Sequence, residues 1–249
     1  MPDALFSHPR VARVYDPLDP DRSDLDTYVD LVREFGADAV LDVGCGTGTL
    51  ACRLAAQGVE VLGVDPAGAS VTVARAKTGA ERVEWVVGTV EDVAARPDQR
   101  GRYDLATMSA NVAQVFLGDE EWLATLGSIR TCLRPGGRLA FETRVPADRA
   151  WERWTKEASH QVVDVEGEGP VEDWVQVTAV DGELVTFDSP TIFRADGERI
   201  DSTTTLRFRG RDDLLSSLAR AGFAGSEVRD LPYAPGRGWL VVAQAPPES

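Results

Sequence analysis

The chain has 249 residues, 43% of them hydrophobic, with three cysteines, two histidines and a formal net charge of −15. That length suits one large α/β domain or a domain with an insertion, and the apolar runs fall short of the ~20 residues that span a bilayer, so no membrane partner is expected. The acidic balance, with no Lys/Arg run, argues against nucleic acid and admits a neutral or cationic small molecule, while scattered Cys45, Cys52 and Cys132 and only two histidines argue against a disulfide framework or a zinc site.

The opening "MPDALFSHPR" is acidic, carries prolines and lacks an apolar signal core, which points to a cytoplasmic protein. Pro17 and Pro20 predict irregular chain, after which Ser23 or Asp24 caps a helix running to Phe35. Residues 1–38 thus read as an N-terminal helical extension. From Ala39 the pattern alternates. "AVLDV" is a buried strand, "TLACRLAAQG" a helix closed by Gly58, "VEVLGVD" a strand, "GASVTVARAKTG" a helix closed by Gly79, "RVEWVVG" a third strand and "YDLATMS" a fourth. "DEEWLATLGSIRTCLRPGG" is a helix with acids in its first turn, arginine in its last and Pro-Gly-Gly to stop it; "RLAFET" is a fifth strand. Alternating units of this kind imply a mainly parallel sheet covered by helices on both faces.

Between about 157 and 209 the helical period is lost. Asp181-Gly182 and Asp196-Gly197 each lie between β-rich stretches, a hairpin signal. The reading is an inserted three-stranded antiparallel meander, roughly 171–180, 183–193 and 198–208. The α/β rhythm then returns with the helix "RDDLLSSLARAGF" and the closing strands "SEVRDL" and "GWLVVAQA". The domain reading is therefore 39–156 with 210–249 as one unit and 157–209 as an insertion that lids an acceptor pocket. Alternatively the insertion's exposed edge pairs with another subunit as a homodimer interface.

The run Gly44-Cys45-Gly46-Thr47-Gly48 sits at a strand-to-helix turn, where glycines let a ligand approach the backbone. A P-loop requires Lys-Ser/Thr after its last glycine; here Thr49-Leu50 follow. A dinucleotide fingerprint requires a small third position, which falls on Thr49, and its pyrophosphate repels Asp42.

The pattern D-x-G-x-G-x-G from Asp42 resembles motif I of the class I S-adenosylmethionine-dependent methyltransferases. That cofactor carries a sulfonium and an ammonium, which an acidic entrance favours. The resemblance covers about 39–143 well and 210–244 at fold level. It implies an α/β, doubly wound, seven-stranded, mostly parallel sheet, the Rossmann-like methyltransferase fold, with the antiparallel meander inserted. By the same resemblance, Asp42 and the Gly44 backbone hold the methionine end of S-adenosylmethionine, with Cys45, Gly46 and Gly48 of the same loop also against the cofactor, and Asp65, followed by Pro66, takes the ribose hydroxyls or simply caps the next helix. "VVGTVEDV" resembles the adenine-binding segment, but Thr89 stands where the family carries an acid. Adenine recognition then falls to Glu91, Asp92 or the Thr89-Val90-Glu91 backbone. Met108 ends the fourth strand, where the family brings methyl group and acceptor together. "VYDPLDPDRSDLDTY" resembles the segment that folds over the cofactor, with Tyr15 either touching the methionine carboxylate or packing.

Methyl transfer from a sulfonium is an in-line displacement that asks chiefly for alignment, and a base is required only when the acceptor must lose a proton early. The N/D-P-P-Y/F tetrapeptide of nucleobase and glutamine N-methylating enzymes is absent; Ser109-Ala110-Asn111-Val112 stands in its place. Asn111 is a candidate to orient an acceptor, or a turn cap. His160 is the candidate imidazole base, or a surface residue. Arg144 and Trp151 follow the fifth strand and are candidate acceptor contacts, with Trp154 beside them as packing. The expected function is methyl transfer from S-adenosylmethionine to a small-molecule N, O or C nucleophile. A non-catalytic S-adenosylmethionine- or S-adenosylhomocysteine-binding module and a protein methyltransferase are the alternatives.

Overall fold

In the computed structural model, which describes residues 4–248, the alternation beginning at Ala39 becomes one seven-stranded sheet. Its strands are β1 (Ala39–Val43), β2 (Glu60–Asp65), β3 (Val83–Val87), β4 (Tyr103–Met108), β5 (Leu133–Arg144), β13 (Gly225–Asp230) and β14 (Gly238–Gln244). Across the sheet they lie in the order β3-β2-β1-β4-β5-β14-β13. The first five pair in parallel, and only β14 runs against its neighbours β5 and β13. This is the doubly wound, mostly parallel architecture that the sequence predicts.

The helices are α1 (Ala4–Ser7), α2 (Pro9–Leu18), α3 (Asp26–Phe35), α4 (Thr49–Ala55), α5 (Gly68–Arg75), α6 (Val90–Ala94), α7 (Asp119–Cys132), α8 (Lys156–Ser159) and α9 (Arg211–Arg220). Side chains alternate across a strand, so each strand feeds two cores. Leu41, Val43, Leu62 and Phe141 meet α6, α7 and α9; Val40, Val61, Leu105 and Ala140 meet α3 and α4. Trp122 ties the first core together. Its ring packs edge-on against Phe141 with centroids 5.6 Å apart, and its indole N–H donates to Ser217 Oγ at 2.8 Å. That donation satisfies a polar group that burial would otherwise leave unpaired. Among the described residues no helix is long and apolar enough to cross a membrane.

The structure departs from the predicted elements at five places. The region expected to be irregular holds α2. Pro9 occupies its first turn, where a missing N–H costs nothing, and His8 Nδ1 accepts from the Arg10 N–H at 3.3 Å. Pro17 stands in the last turn, and the Asp19 N–H closes it onto the Tyr15 and Asp16 carbonyls. A 3₁₀ turn, Ser23–Leu25, separates Ser23 and Asp24 from α3, so neither caps it. Helix α6 is additional; its signal is a capping box in which Thr89 and Asp92 satisfy each other's backbone N–H. Helix α7 ends at Cys132, before Pro135. The β4–β5 pairing begins at Leu133 and resumes at Arg138, with Pro-Gly-Gly bulging between.

The meander is the fifth departure. Instead of three long strands there are seven short ones: β6 (Gln161–Val165), β7 (Gly169–Asp173), β8 (Gln176–Asp181), β9 (Leu184–Asp188), β10 (Thr191–Phe193), β11 (Glu198–Ile200) and β12 (Thr203–Arg207). They form two antiparallel sheets, β11-β10-β7-β6 and β12-β9-β8. The first two expected strands break where a ladder donor is diverted or missing. The Val175 N–H goes to Ser159 Oγ at 2.9 Å, Pro190 has no N–H, and the Ser189 N–H goes to the Ser202 carbonyl at 2.8 Å. Both Asp-Gly pairs do lie at hairpin turns. The four-stranded sheet buries Val165, Val171 and Phe193 against Val14 of α2. The three-stranded sheet packs Phe187 and Phe208 on Trp151 and Trp154.

Candidate active site

In an open parallel sheet, ligands bind beyond the carboxyl ends of the strands, where the winding reverses. Here that point lies between β1 and β4. The loop after β1 turns through Gly44, Gly46 and Gly48, with φ of 72°, 53° and 77°. Only glycine enters this region without strain. At Gly44 a Cβ would also stand 2.6 Å from Val112 Cγ2, whereas at Gly46 it would meet nothing within 4 Å. The loop's own amides are engaged. Gly44 and Cys45 donate to the Val64 carbonyl at 2.9 and 3.2 Å, and Gly48 to the Cys45 carbonyl at 2.8 Å. Gly46 donates to Asp65 Oδ2 at 2.8 Å. The loop is a tight wall, not a phosphate cradle.

A cavity of about 590 Å³ lies against this wall. Its boundary includes Gly44 to Thr47, Asp65 and Pro66 after β2, Gly88 to Glu91 after β3, and Ser109, Ala110 and Val112 after β4. Tyr15 and Arg22 close it from the N-terminal side, and Thr203 to Thr205 of β12 complete it. Asp65 Oδ1 accepts the Ala67 N–H at 2.7 Å, and burial holds its carboxyl above the usual carboxylate range. Asp42 sits beneath the loop and is 1% exposed. Its Oδ1 accepts from Thr107 Oγ at 2.9 Å and its Oδ2 has no hydrogen-bond partner. Burial, with a smaller push from Asp65, raises its pKa to about 7.

A second chamber of about 400 Å³ adjoins the first and shares Tyr15, Arg22 and Ala110 as a common wall. It is polar, lined by Asp19, Asp21, Asp24, Asn111, Glu142, Arg144 and Tyr233. Glu142 stands at its inner end, 1% exposed. Its Oε1 accepts the Asn111 N–H at 3.1 Å, and its Oε2 lies 3.0 Å from the Tyr28 hydroxyl. Ala110 and Asn111 are both left-handed, with φ of 54° and 60°, an unfavourable backbone for non-glycine residues that clusters at functional sites. Glu142 holds that turn through the Asn111 amide. Arg144 donates to Gln114 Oε1 at 2.8 Å, and burial lowers its pKa.

Of the residues singled out from sequence, Tyr15, Gly44, Cys45, Gly46, Asp65, Pro66, Thr89, Val90 and Glu91 line the larger cavity. Asp42, Gly48 and Met108 are not among its lining residues; Gly48 packs behind the loop, its Cβ position 2.4 Å from the Trp85 ring. Asp92 caps α6, while Glu91 Oε1 accepts from the Thr125 hydroxyl at 3.0 Å. Asn111 and Arg144 line the smaller chamber. Trp151 lies edge-on to Phe208 with centroids 4.7 Å apart and borders neither cavity. His160 is exposed, 2.9 Å from Glu172 Oε1, and also borders neither. Sequence reasoning missed Glu142, Tyr28, Tyr233 and Arg22. Only Glu142 leaves a signal, an acid inside the apolar strand "RLAFET".

Comparison with known proteins places this geometry. Residues 40–137 match a protein family described as a methyltransferase domain. A ubiquinone biosynthesis O-methyltransferase of Acinetobacter baylyi is 36% identical over 107 residues, 42% of each chain. The chain therefore aligns with less than half the length of that curated relative. Among solved structures, Streptomyces venezuelae DesVI superposes with a TM-score of 0.76 at 20% identity, covering 95% of this chain and 98% of that one. The S-adenosylmethionine-bound CalS10 of Micromonospora echinaspora, an amino pentose methyltransferase, superposes at 0.69 with 23% identity, covering 93% and 96%. At these identities the two superpositions establish the fold.

Proposed function

We propose that this chain, a member of the class I S-adenosylmethionine-dependent methyltransferases by its domain at residues 40–137, transfers a methyl group to a small molecule held in the smaller chamber. One observation carries the reading: two acids, Asp42 and Asp65, flank a glycine loop whose amides at 44, 45, 46 and 48 are all engaged within the protein. Such a site repels a pyrophosphate and attracts a cation. The orphaned Asp42 Oδ2 and the open space at Gly46 fit the ammonium end of S-adenosylmethionine.

Asp65 retains lone pairs for a vicinal diol, Thr89, Val90 and Glu91 border an adenine, and Tyr15 and Arg22 border the methionine carboxylate. When bound, the cofactor supplies an electrophilic methyl on a sulfonium leaving group. The protein's part is to align the acceptor with it and keep water out. The described part of the N-terminal segment, residues 4–38, serves as a cover, because Tyr15 on α2 borders both chambers. The segment 157–209 adds a second cover through Thr203 to Thr205. A chamber of about 400 Å³ admits a small molecule, not a folded protein or a nucleic-acid duplex, and the likeness to an amino pentose methyltransferase supports the same substrate class.

Calorimetric titration with S-adenosylmethionine, S-adenosylhomocysteine and NADH in parallel tests the reading. Micromolar binding of the first two and none of the third is expected; binding of NADH alone overturns it. A non-catalytic binding module is the second reading, and the separate polar chamber beside the cofactor cavity favours turnover over it.

A further inference from the structure

We propose that the acceptor is an amine that enters the smaller chamber as its ammonium, and that Glu142 is the group that takes its proton. The inference rests on the methyl-transfer reading and deepens it. The chamber wall carries four carboxylates, Asp19, Asp21, Asp24 and Glu142, against two guanidiniums, Arg22 and Arg144. Arg22 lies 3.3 Å from Asp24 Oδ1, and Arg144 donates to Gln114. The balance favours a cation.

An ammonium has no lone pair and cannot attack a methyl group. The N–H bond breaks with its electron pair remaining on nitrogen, and the proton forms an O–H bond on Glu142. The freed amine then attacks the methyl of the sulfonium donor, and the S–C pair leaves with sulfur as a thioether. A hydroxyl holds its proton far more tightly than an ammonium does and asks more of the same base.

The surroundings of Glu142 complete its hydrogen bonds in both protonation states. Ionised, it accepts from the Asn111 N–H, from the Tyr28 hydroxyl and from Tyr233. Protonated, its Oε2–H donates to the Tyr28 oxygen, and the Tyr28 proton turns to the Met108 carbonyl, 3.2 Å away. Burial raises the Glu142 pKa above the usual range and nearby Asp24 adds to the rise, while hydrogen bonds from Tyr233, Tyr28 and Asn111 oppose it. Arg144 on its own strand also faces it.

Glu142→Gln is an isostere of the protonated form. Its amide oxygen accepts the Asn111 N–H and its NH2 donates to the Tyr28 oxygen, whose proton turns to the Met108 carbonyl, while the capacity to take a proton is lost. The experiment offers radiolabelled S-adenosylmethionine with primary amines from ethylamine to glucosamine, beside ethanol and glucose. Label is expected in amines alone. E142Q should bind S-adenosylmethionine within twofold of the parent and transfer label at least ~100-fold more slowly, the scale of a lost proton acceptor. Without any cofactor, adding glucosamine to the parent should raise a carboxylic-acid C=O infrared band that E142Q lacks. Label in the alcohols, label in no amine, an E142Q as fast as the parent, or an absent band overturns the proposal. Failure of the parent to bind S-adenosylmethionine sinks the methyl-transfer reading instead, and the infrared arm still tests Glu142.

Discussion

Asp65 Oδ2 accepts the Gly46 N–H at 2.8 Å, tying the end of β2 to the middle of the glycine loop. Asp65 therefore shapes the cavity as well as lining it. Asp65→Ala removes the candidate ribose acceptor and frees the loop. S-adenosylmethionine affinity should fall by ~1–3 kcal/mol, the scale of a charged hydrogen bond lost. Calorimetry reads this directly, and unchanged affinity puts Asp65 outside the site.

Two glycines of that loop should respond differently to a methyl group. Gly44→Ala drives a Cβ to 2.6 Å from Val112 Cγ2 in a left-handed backbone. It should lower the melting temperature and abolish cofactor binding, and Val112→Ala in the same chain should restore part of both. Gly46→Ala meets nothing within 4 Å, so only the backbone penalty of about 1–2 kcal/mol applies to folding. Thermal melts of the three variants check the order. Equal losses for the two glycines would mean that the loop is not packed against Val112 in solution.

Much of this was legible because period and punctuation are local. The strands carry the alternation that separates two cores, and the glycines at 44, 46 and 48 mark one turn. The smaller chamber was not legible, because segments far apart in the chain assemble it: Tyr15 to Asp24, the Ala110-Asn111 turn after β4, Glu142 and Arg144 at the end of β5, and Tyr233. On one face, Val40, Leu105 and Ala140 are followed two residues later by Asp42, Thr107 and Glu142. Pairing of β1 with β4 and of β4 with β5 brings these positions to one edge of one face. No single strand shows that three polar ends converge. The short sheets of the insertion were missed for a related reason: the Ser159 hydroxyl that ends one ladder comes from α8, outside the strands it interrupts.

Helix α2 is latched onto the glycine loop. Lys77 Nζ lies 2.6 Å from both Asp16 Oδ2 and Thr49 Oγ, and Thr47 Oγ donates to Asp16 Oδ1 at 2.7 Å. The pair is partly exposed, so Lys77→Ala should cost under about 1 kcal/mol of global stability. Its effect should be local. Amide exchange across residues 9–18 should accelerate, and S-adenosylmethionine should dissociate several-fold faster in stopped-flow, because Tyr15 rides on this helix. Unchanged exchange would mean that packing on α5 and on the four-stranded sheet holds α2 without this latch.

Asp42 gives the fold a pH dependence of fixed sign. Its pKa rises from an ordinary carboxylate value to about 7 on folding, chiefly through burial. Between roughly pH 4 and 7 the folded chain holds a proton that the unfolded chain has released, so stability falls as pH rises through this window. Above it the unpaired carboxylate costs roughly 2–4 kcal/mol. Asp42→Asn keeps the Thr107 bond and removes the charge. At pH 8 the variant should melt roughly 5–15 °C above the parent, and the gap should close by pH 4. Glu142, Asp65, Asp19 and Asp173 also titrate high, so the difference between the two melting curves, not either alone, isolates Asp42. If Asp42 meets the cofactor's cationic end, as proposed, the same variant should lose S-adenosylmethionine affinity. A variant no more stable than the parent at pH 8 would mean that Asp42 is solvated in the free protein. An affinity that survives the substitution would move the ammonium elsewhere.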